Sequence, residues 1–227
     1  MEPELPSFNG IIQLFGDYSR KVSPKLSHEQ SLLVDEALAK IIDLRNITSK
    51  IILINSELVE KKKNQSMKLL DLLQEGRKEH PDLDEFLRQN PNLKIDNLTV
   101  ALSPMSDTFL IDDQDLPKYR ELRLMTIQFY QIVHRVLKIL SKLPGLKHFR
   151  CRPITIVRNQ LIEHPEDKSS KILYDSFGFG KITGPVIKAL RINGQAGIHE
   201  DAGFYPNANA FIHDLEKALI NAIEGPI

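Results

Sequence analysis

Residues 27–58 read SHEQSLLVDEALAKIIDLRNITSKIILINSEL, and this stretch decides the fold class. Ser27 offers a hydroxyl to a helix start, and Gln30, three residues on, can return the bond to the Ser27 amide, the reciprocal pattern of a capping box. From there Leu33, Ala37, Ile41, Leu44, Thr48, Ile51, Asn55 and Leu58 recur at three and four residues, which gives a helix one long buried stripe. The period resumes at Met67, Leu70 and Leu73, beyond a polar segment, Glu60 to Ser66, that contains no helix breaker. One helix of about 50 residues, or two joined by a bend near 60–66, fits this pattern equally.

Downstream, Gly76 and His80-Pro81 end the run, because the residue before a proline is pushed out of the α region. A short helix is expected over Leu83 to Arg88, stopped by Asn90-Pro91, and a loose hairpin between Leu98–Leu102 and Thr108–Ile111. Leu116-Pro117 opens a second long helix with Tyr119, Leu122, Phe129, Val133, Val136, Leu140 and Leu143 on one side, closed by Pro144-Gly145. Arg152-Pro153 starts a short helix, buried through Ile154, Val157 and Leu161 and ended by Pro165. Residues 171–193 combine β-favouring side chains with Gly178, Gly180 and Gly184, the composition of a small hairpin. Pro206 leads into a last amphipathic helix carrying Phe211, Leu215, Leu219 and Ile223. Upstream, Pro3, Pro6, Pro24, Gly10 and Gly16 surround the short apolar run Gly10–Phe15, which predicts an arm with a single helical turn.

The expected fold is therefore mainly α: a helical bundle with one or two long antiparallel helices and a small β-hairpin appendage near 171–193. Three segments follow: an arm over 1–27, the bundle over 28–165, and a 166–227 segment whose hairpin and C-terminal helix pack on the same domain.

A chain of 227 residues is long enough to bury a core without staples, and 41% hydrophobic with 26% charged residues excludes wholesale disorder and fibrous architectures. The single cysteine, Cys151, excludes an internal disulfide and a thiolate metal cluster, which points to a reducing compartment. Glu2 and Glu4 stand where a signal peptide carries positive charge, and no run approaches the roughly 18 apolar residues of a membrane span. A cytoplasmic protein with no membrane contact is the expectation. No cofactor or metal is expected either. The adjacent His199, Glu200 and Asp201 rarely point one way and have no partner histidine at helical spacing. Gly178–Gly184 lacks the Ser or Thr that a phosphate loop places directly after its Lys, and reads as a turn.

Lys plus Arg equals Asp plus Glu at 30 each, so net charge favours no polyanionic partner. The distribution does. From Leu122 to Ile162 there is no Asp or Glu, where the chain's average would place about five, and such a local excess of cations raises the potential along one face. Lys138, Lys142, Lys147, Arg150 and Arg152 are the candidate RNA-binding residues of this stretch. An alternative role for its lysines is simpler: cations late in a helix offset the negative end of its dipole. His134 reads as a surface or packing residue. Cys151 lies near a helix start and several arginines, a setting that lowers a thiol pKa modestly, but no histidine partner marks it as a nucleophile.

The stretch with chemistry is Arg158-Asn159-Gln160-Leu161-Ile162-Glu163-His164-Pro165. In a continuing helix Arg158 and His164 sit about 120° apart. Pro165 removes His164 from the α region and lets its imidazole swing back toward Arg158 and Asn159 from a frayed helix end. A guanidinium holds a phosphate bidentately, and an imidazole titrating near neutrality moves protons to and from a ribose hydroxyl or leaving oxygen.

An Arg, a polar residue directly after it and a His five residues beyond that polar one, at a helix end, resemble the signature of the HEPN superfamily, and the resemblance covers roughly residues 116–165 plus the preceding long helices. It implies a small helical bundle, paired as a homodimer so that two copies of the motif meet. It also implies metal-independent endoribonuclease activity of the toxin–antitoxin or defence type, with Arg158, Asn159 and His164 as catalytic residues and a cognate protein partner. A second reading stays open beside it: a non-catalytic helical interaction module, an antitoxin-like partner or scaffold, in which Arg158 pairs with Glu163 or Glu166 and His164 merely ends the helix.

Overall fold

A computed structural model of the chain describes residues 7–79, 113–159, 171–192, 196–198 and 202–225. Among these, five α-helices dominate: α1 (Asn9–Val22), α2 (His28–Glu79), α3 (Leu116–Leu140), α4 (Arg152–Ile156) and α5 (Phe204–Glu224). An antiparallel hairpin, β1 (Lys171–Gly178) and β2 (Val186–Ile192), is joined on the β2 side by the short β3 (Ala196–Ile198) and β4 (Ala202–Gly203). The protein is mainly α with a small β-hairpin, as its periodicity predicts.

The capping box forms as read. The Ser27 amide donates to Gln30 Oε1 at 3.1 Å, and the Gln30 amide donates to Ser27 Oγ at 3.2 Å. Of the two arrangements open for residues 28–79, the chain takes one unbroken helix of 52 residues. The polar 60–66 segment consists of good helix formers and tolerable ones, so nothing in it forces a bend. Ala37, Ile41, Leu44, Thr48, Ile51, Asn55 and Leu58 are buried as expected, but Val34 and not Leu33 opens the stripe. The reading of Leu83–Arg88 as a helix, that of 98–111 as a hairpin, and the stop at His80-Pro81 lie outside the described residues.

The described chain forms two compact units: Met1–Asn55 with Glu121–Ile227, and Ser56–Arg120. In the second, Lys118 meets Glu57 at 2.7 Å and Lys61 meets Asp115 at 2.6 Å. The partners descend in number on one side as they rise on the other, so α2 and the segment entering α3 run antiparallel there.

In the first unit, residues 9–22 depart from expectation. They form a 14-residue helix where the sequence suggested an arm with one turn. Glycine costs a helix about 1 kcal/mol, yet burying a large apolar side chain returns about 1.5–3 kcal/mol, so tertiary packing overrides Gly10 and Gly16. Ile11, Phe15, Tyr18 and Val22 are all buried, on a face that packs against α5. The Tyr18 hydroxyl donates to Pro144 O at 2.8 Å. Lys21 Nζ donates to the carbonyls of Ile223 and Gly225, so a cation from α1 caps the exposed carbonyls at the end of α5. Phe211, Leu215 and Leu219 form the α5 side of this core; Ala222 is buried beyond them and Ile223 only partly. Phe129 of α3 and Phe204 of α5 meet edge to face with centroids 4.8 Å apart.

The hairpin pairs Phe177 with Ile187 and Gly178 with Val186. Its loop is closed by two reciprocal bonds: Gly180 N–H to Gly184 O at 3.1 Å, and Gly184 N–H to Gly180 O at 3.0 Å. The glycine cluster is a turn, as its spacing indicated.

Candidate functional site

The site must be built from α4 and the turn that follows it. Pro153 occupies the first helical turn, where its missing N–H costs nothing, and Cys151 O accepts both the Thr155 amide at 3.2 Å and Thr155 Oγ1 at 3.1 Å. Ile154 and Val157 are buried, fixing the short helix to its unit. Over 157–159 the winding widens into a π-type turn, a local geometry that re-aims side chains. Arg158 and Asn159 project from it, both partly buried. Arg158 Nη1 donates to Asn159 Oδ1 at 2.7 Å. The third member of the expected set, His164, lies outside the described residues, as do Glu163, Pro165 and Glu166.

The five expected RNA-binding residues are all exposed, but they are not alike. Arg150 folds onto its own turn, its Nη1 donating to Lys147 O at 3.1 Å and Phe149 O at 2.7 Å. Lys138, Lys142, Lys147 and Arg152 make no ion pair among the described residues. On α3, Lys138 stands three residues from Arg135, so the two share a helix face.

The acid-free stretch is less isolated in space than in sequence. Glu36, 99 positions away on α2, pairs with Arg135 at 2.9 Å, and Asp214 of α5 lies near enough to act on the Cys151 thiol. Cys151 itself corrects the expected sign. It is buried, and burial raises its pKa above the usual thiol value; a backbone bond from Ile154 works against this, and Asp214 adds to the rise. Desolvation outweighs the Ile154 bond here, so burial holds the group as the neutral thiol. His134 is partly buried in α3, consistent with a packing role.

Sequence reasoning missed the polar contacts that cross the core. Asn55 sits on the apolar stripe of α2, where spacing alone makes it a member. Its Nδ2 donates to Gly180 O and to the Tyr205 hydroxyl, each at 3.0 Å. Asn207 Nδ2 likewise donates to the buried Tyr130 hydroxyl at 3.1 Å. An asparagine within an apolar period is the one available signal, since a buried amide needs partners. Among the described residues no group of three His, Cys, Asp or Glu is placed to hold a metal ion. No described helix is long and apolar enough to cross a membrane.

Comparison with models of protein families, with curated proteins and with solved structures finds no match in any of the three.

Proposed function

We propose that this chain is an HEPN-like protein that acts on RNA as a metal-independent endoribonuclease, with Arg158, Asn159 and His164 as its catalytic set. The observation that carries the reading is the 2.7 Å bond from Arg158 to Asn159. A guanidinium whose plane is set by a neighbouring carbonyl before an anion arrives meets a phosphate with less ordering cost, and its fork matches two phosphate oxygens at once. Lys138, Lys142, Lys147 and Arg152, exposed and without ion pairs among the described residues, supply the long-range attraction. In the reaction the ribose 2′ oxygen attacks the adjacent phosphorus and the bond from phosphorus to the 5′ oxygen breaks, giving a cyclic phosphate and a free 5′ hydroxyl. Arg158 holds the non-bridging oxygens as charge builds on them, and His164 moves the proton.

The reading extends to a cytoplasmic homodimer of the toxin–antitoxin or defence type, working with a cognate protein partner. Leu32 and Leu53, three heptads apart on α2 and 56% and 60% exposed, favour a helical association face, which the non-catalytic interaction module would share. One experiment separates the two. Wild type, Arg158→Ala and His164→Ala are incubated with a total RNA pool in the presence of a chelator. Cleavage by wild type alone supports the nuclease; equal cleavage by all three, or none by any, removes it. Association that survives the double substitution then supports the interaction module.

A further inference from the structure

The segment joining α3 to α4 is wound tightly. The amides of Lys142, Leu143, Leu146 and Phe149 each donate to the carbonyl three residues back, at 2.9 to 3.2 Å. In turns of this kind side chains three apart stand over one another. Leu143, Leu146 and Phe149 form one such row and are buried. Lys147 and Arg150 share a second row, and both are exposed.

The frame under these two cations is pinned to α1 and α5. The Tyr18 hydroxyl holds Pro144 O at 2.8 Å, and the Phe149 ring meets Phe211 with centroids 6.3 Å apart. Gly145, at φ +71°, approaches α5 so closely that a Cβ on it would stand 2.9 Å from Ala222 Cβ. On this frame the Arg150 guanidinium is oriented by its own turn, because Nη1 donates to Lys147 O and Phe149 O. Nε and Nη2 make no bond among the described residues, and together they form the edge of a guanidinium that takes two phosphate oxygens. Lys147 beside it and Arg152 two residues on make no ion pair among the described residues. Asp214 reaches this region, acting on the Cys151 thiol, yet its carboxylate lies 3.6 Å from His213 and pairs with neither arginine.

Arg152 opens α4, and Arg158 follows its end. At about 1.5 Å per residue the six steps between them span about 9 Å. A stacked strand advances about 3.4 Å per nucleotide, so phosphates about three nucleotides apart match the two ends of α4. We propose that the turn before α4 is a second phosphate subsite, with Arg150 and Lys147 as ligands, that holds an RNA strand about three nucleotides from the phosphate at Arg158. RNA as the ligand rests on the function proposed for Arg158; the subsite itself requires no cleavage.

Binding of 2′-O-methyl RNA, which lacks the attacking hydroxyl, to the full chain tests this by fluorescence anisotropy. Two strands are used: six nucleotides, long enough for both subsites, and three, which engage Arg158 alone. Arg150→Ala is expected to weaken binding of the longer strand about ten-fold, the loss of one charge-assisted contact, and to leave the shorter unchanged. Arg150→Lys should fall between, because an ammonium keeps the charge without the fork. Lys50→Ala, an exposed cation on α2, should change neither. Longer-strand binding that Arg158→Ala weakens and Arg150→Ala does not would overturn the subsite while the proposed function stands. Weakening by Arg150→Ala without cleavage of natural RNA supports the subsite and removes the nuclease. An equal loss in Lys50→Ala, which reports net charge alone, overturns the subsite, and so does binding of phosphatidylserine vesicles through Arg150 in place of RNA.

Discussion

Gly184 faces the ring of Tyr205 so closely that a Cβ placed on it would stand 3.1 Å from Cδ1 and Cε1, and its φ of +66° lies in the left-handed region. Two penalties therefore meet at one position, since a side chain there is strained by the backbone and crowded by the ring. Gly184→Ala is expected to cost about 1–3 kcal/mol. Gly16 is its counterpart: helical, with nothing within 4 Å of its virtual Cβ. Gly16→Ala should stabilise by about 0.5–1 kcal/mol. Urea unfolding of both variants checks the contrast, and shifts of the same sign would contradict it.

The reciprocal bonds between Ser27 and Gln30 satisfy two donors at the start of a 52-residue helix. Ser27→Ala should lower stability by about 1 kcal/mol, and Gln30→Ala by less, because the amide of Ser27 can turn to water. Chemical denaturation should show the midpoint falling with an unchanged slope.

Burial raises three tyrosines: Tyr18 to about 12, with Tyr130 and Tyr205 moved the same way. For Tyr130 and Tyr205, bonds from Asn207 and Asn55 partly oppose the rise. Cys151 is raised as well. A group that holds its proton more tightly when folded contributes stability that is complete below its unfolded pKa and is lost as pH climbs through the folded one. Stability should thus fall from about pH 9, where an unfolded thiol begins to ionise, and more steeply from about pH 10 to 12 as unfolded tyrosines follow. Thermal melts across that range should show the loss, with phenolate absorbance of these residues appearing only as the fold gives way.

Cys151 should be unreactive in the native protein at neutral pH. A disulfide exchange reagent should titrate no thiol before denaturant is added and one afterwards. Fast labelling of the folded chain would show that the thiol is not buried.

For the proposed RNA interface, binding to single-stranded RNA should weaken with salt, and each lysine or arginine that contacts a phosphate should lower the log–log slope by about 0.7 when replaced. Ala at Lys138, Lys142, Lys147 and Arg152 together should flatten the slope, while Ala at Arg135, already paired with Glu36, should change it little. A slope untouched by the fourfold change would place the RNA elsewhere.

What the sequence determined by itself is what depends on near neighbours. The capping box at Ser27, the stripe from Leu122 to Leu140, the proline-led start of α4 and the glycine turn at 178–184 all follow from spacings of a few residues, so they were legible before any fold was known. Of the candidate site, residue types and the Arg158–Asn159 adjacency were legible in the same way. Tertiary structure decided the rest. Residues 9–22 became a helix because α5 offered them a face to bury against. Arg135 was neutralised by a glutamate 99 positions away, and the thiol of Cys151 was pushed up by burial that no local pattern reports. Asn55 found its partners 125 and 150 residues downstream. Hydrophobic burial and desolvation act between segments remote in the chain, and a one-dimensional period carries no record of which segments meet.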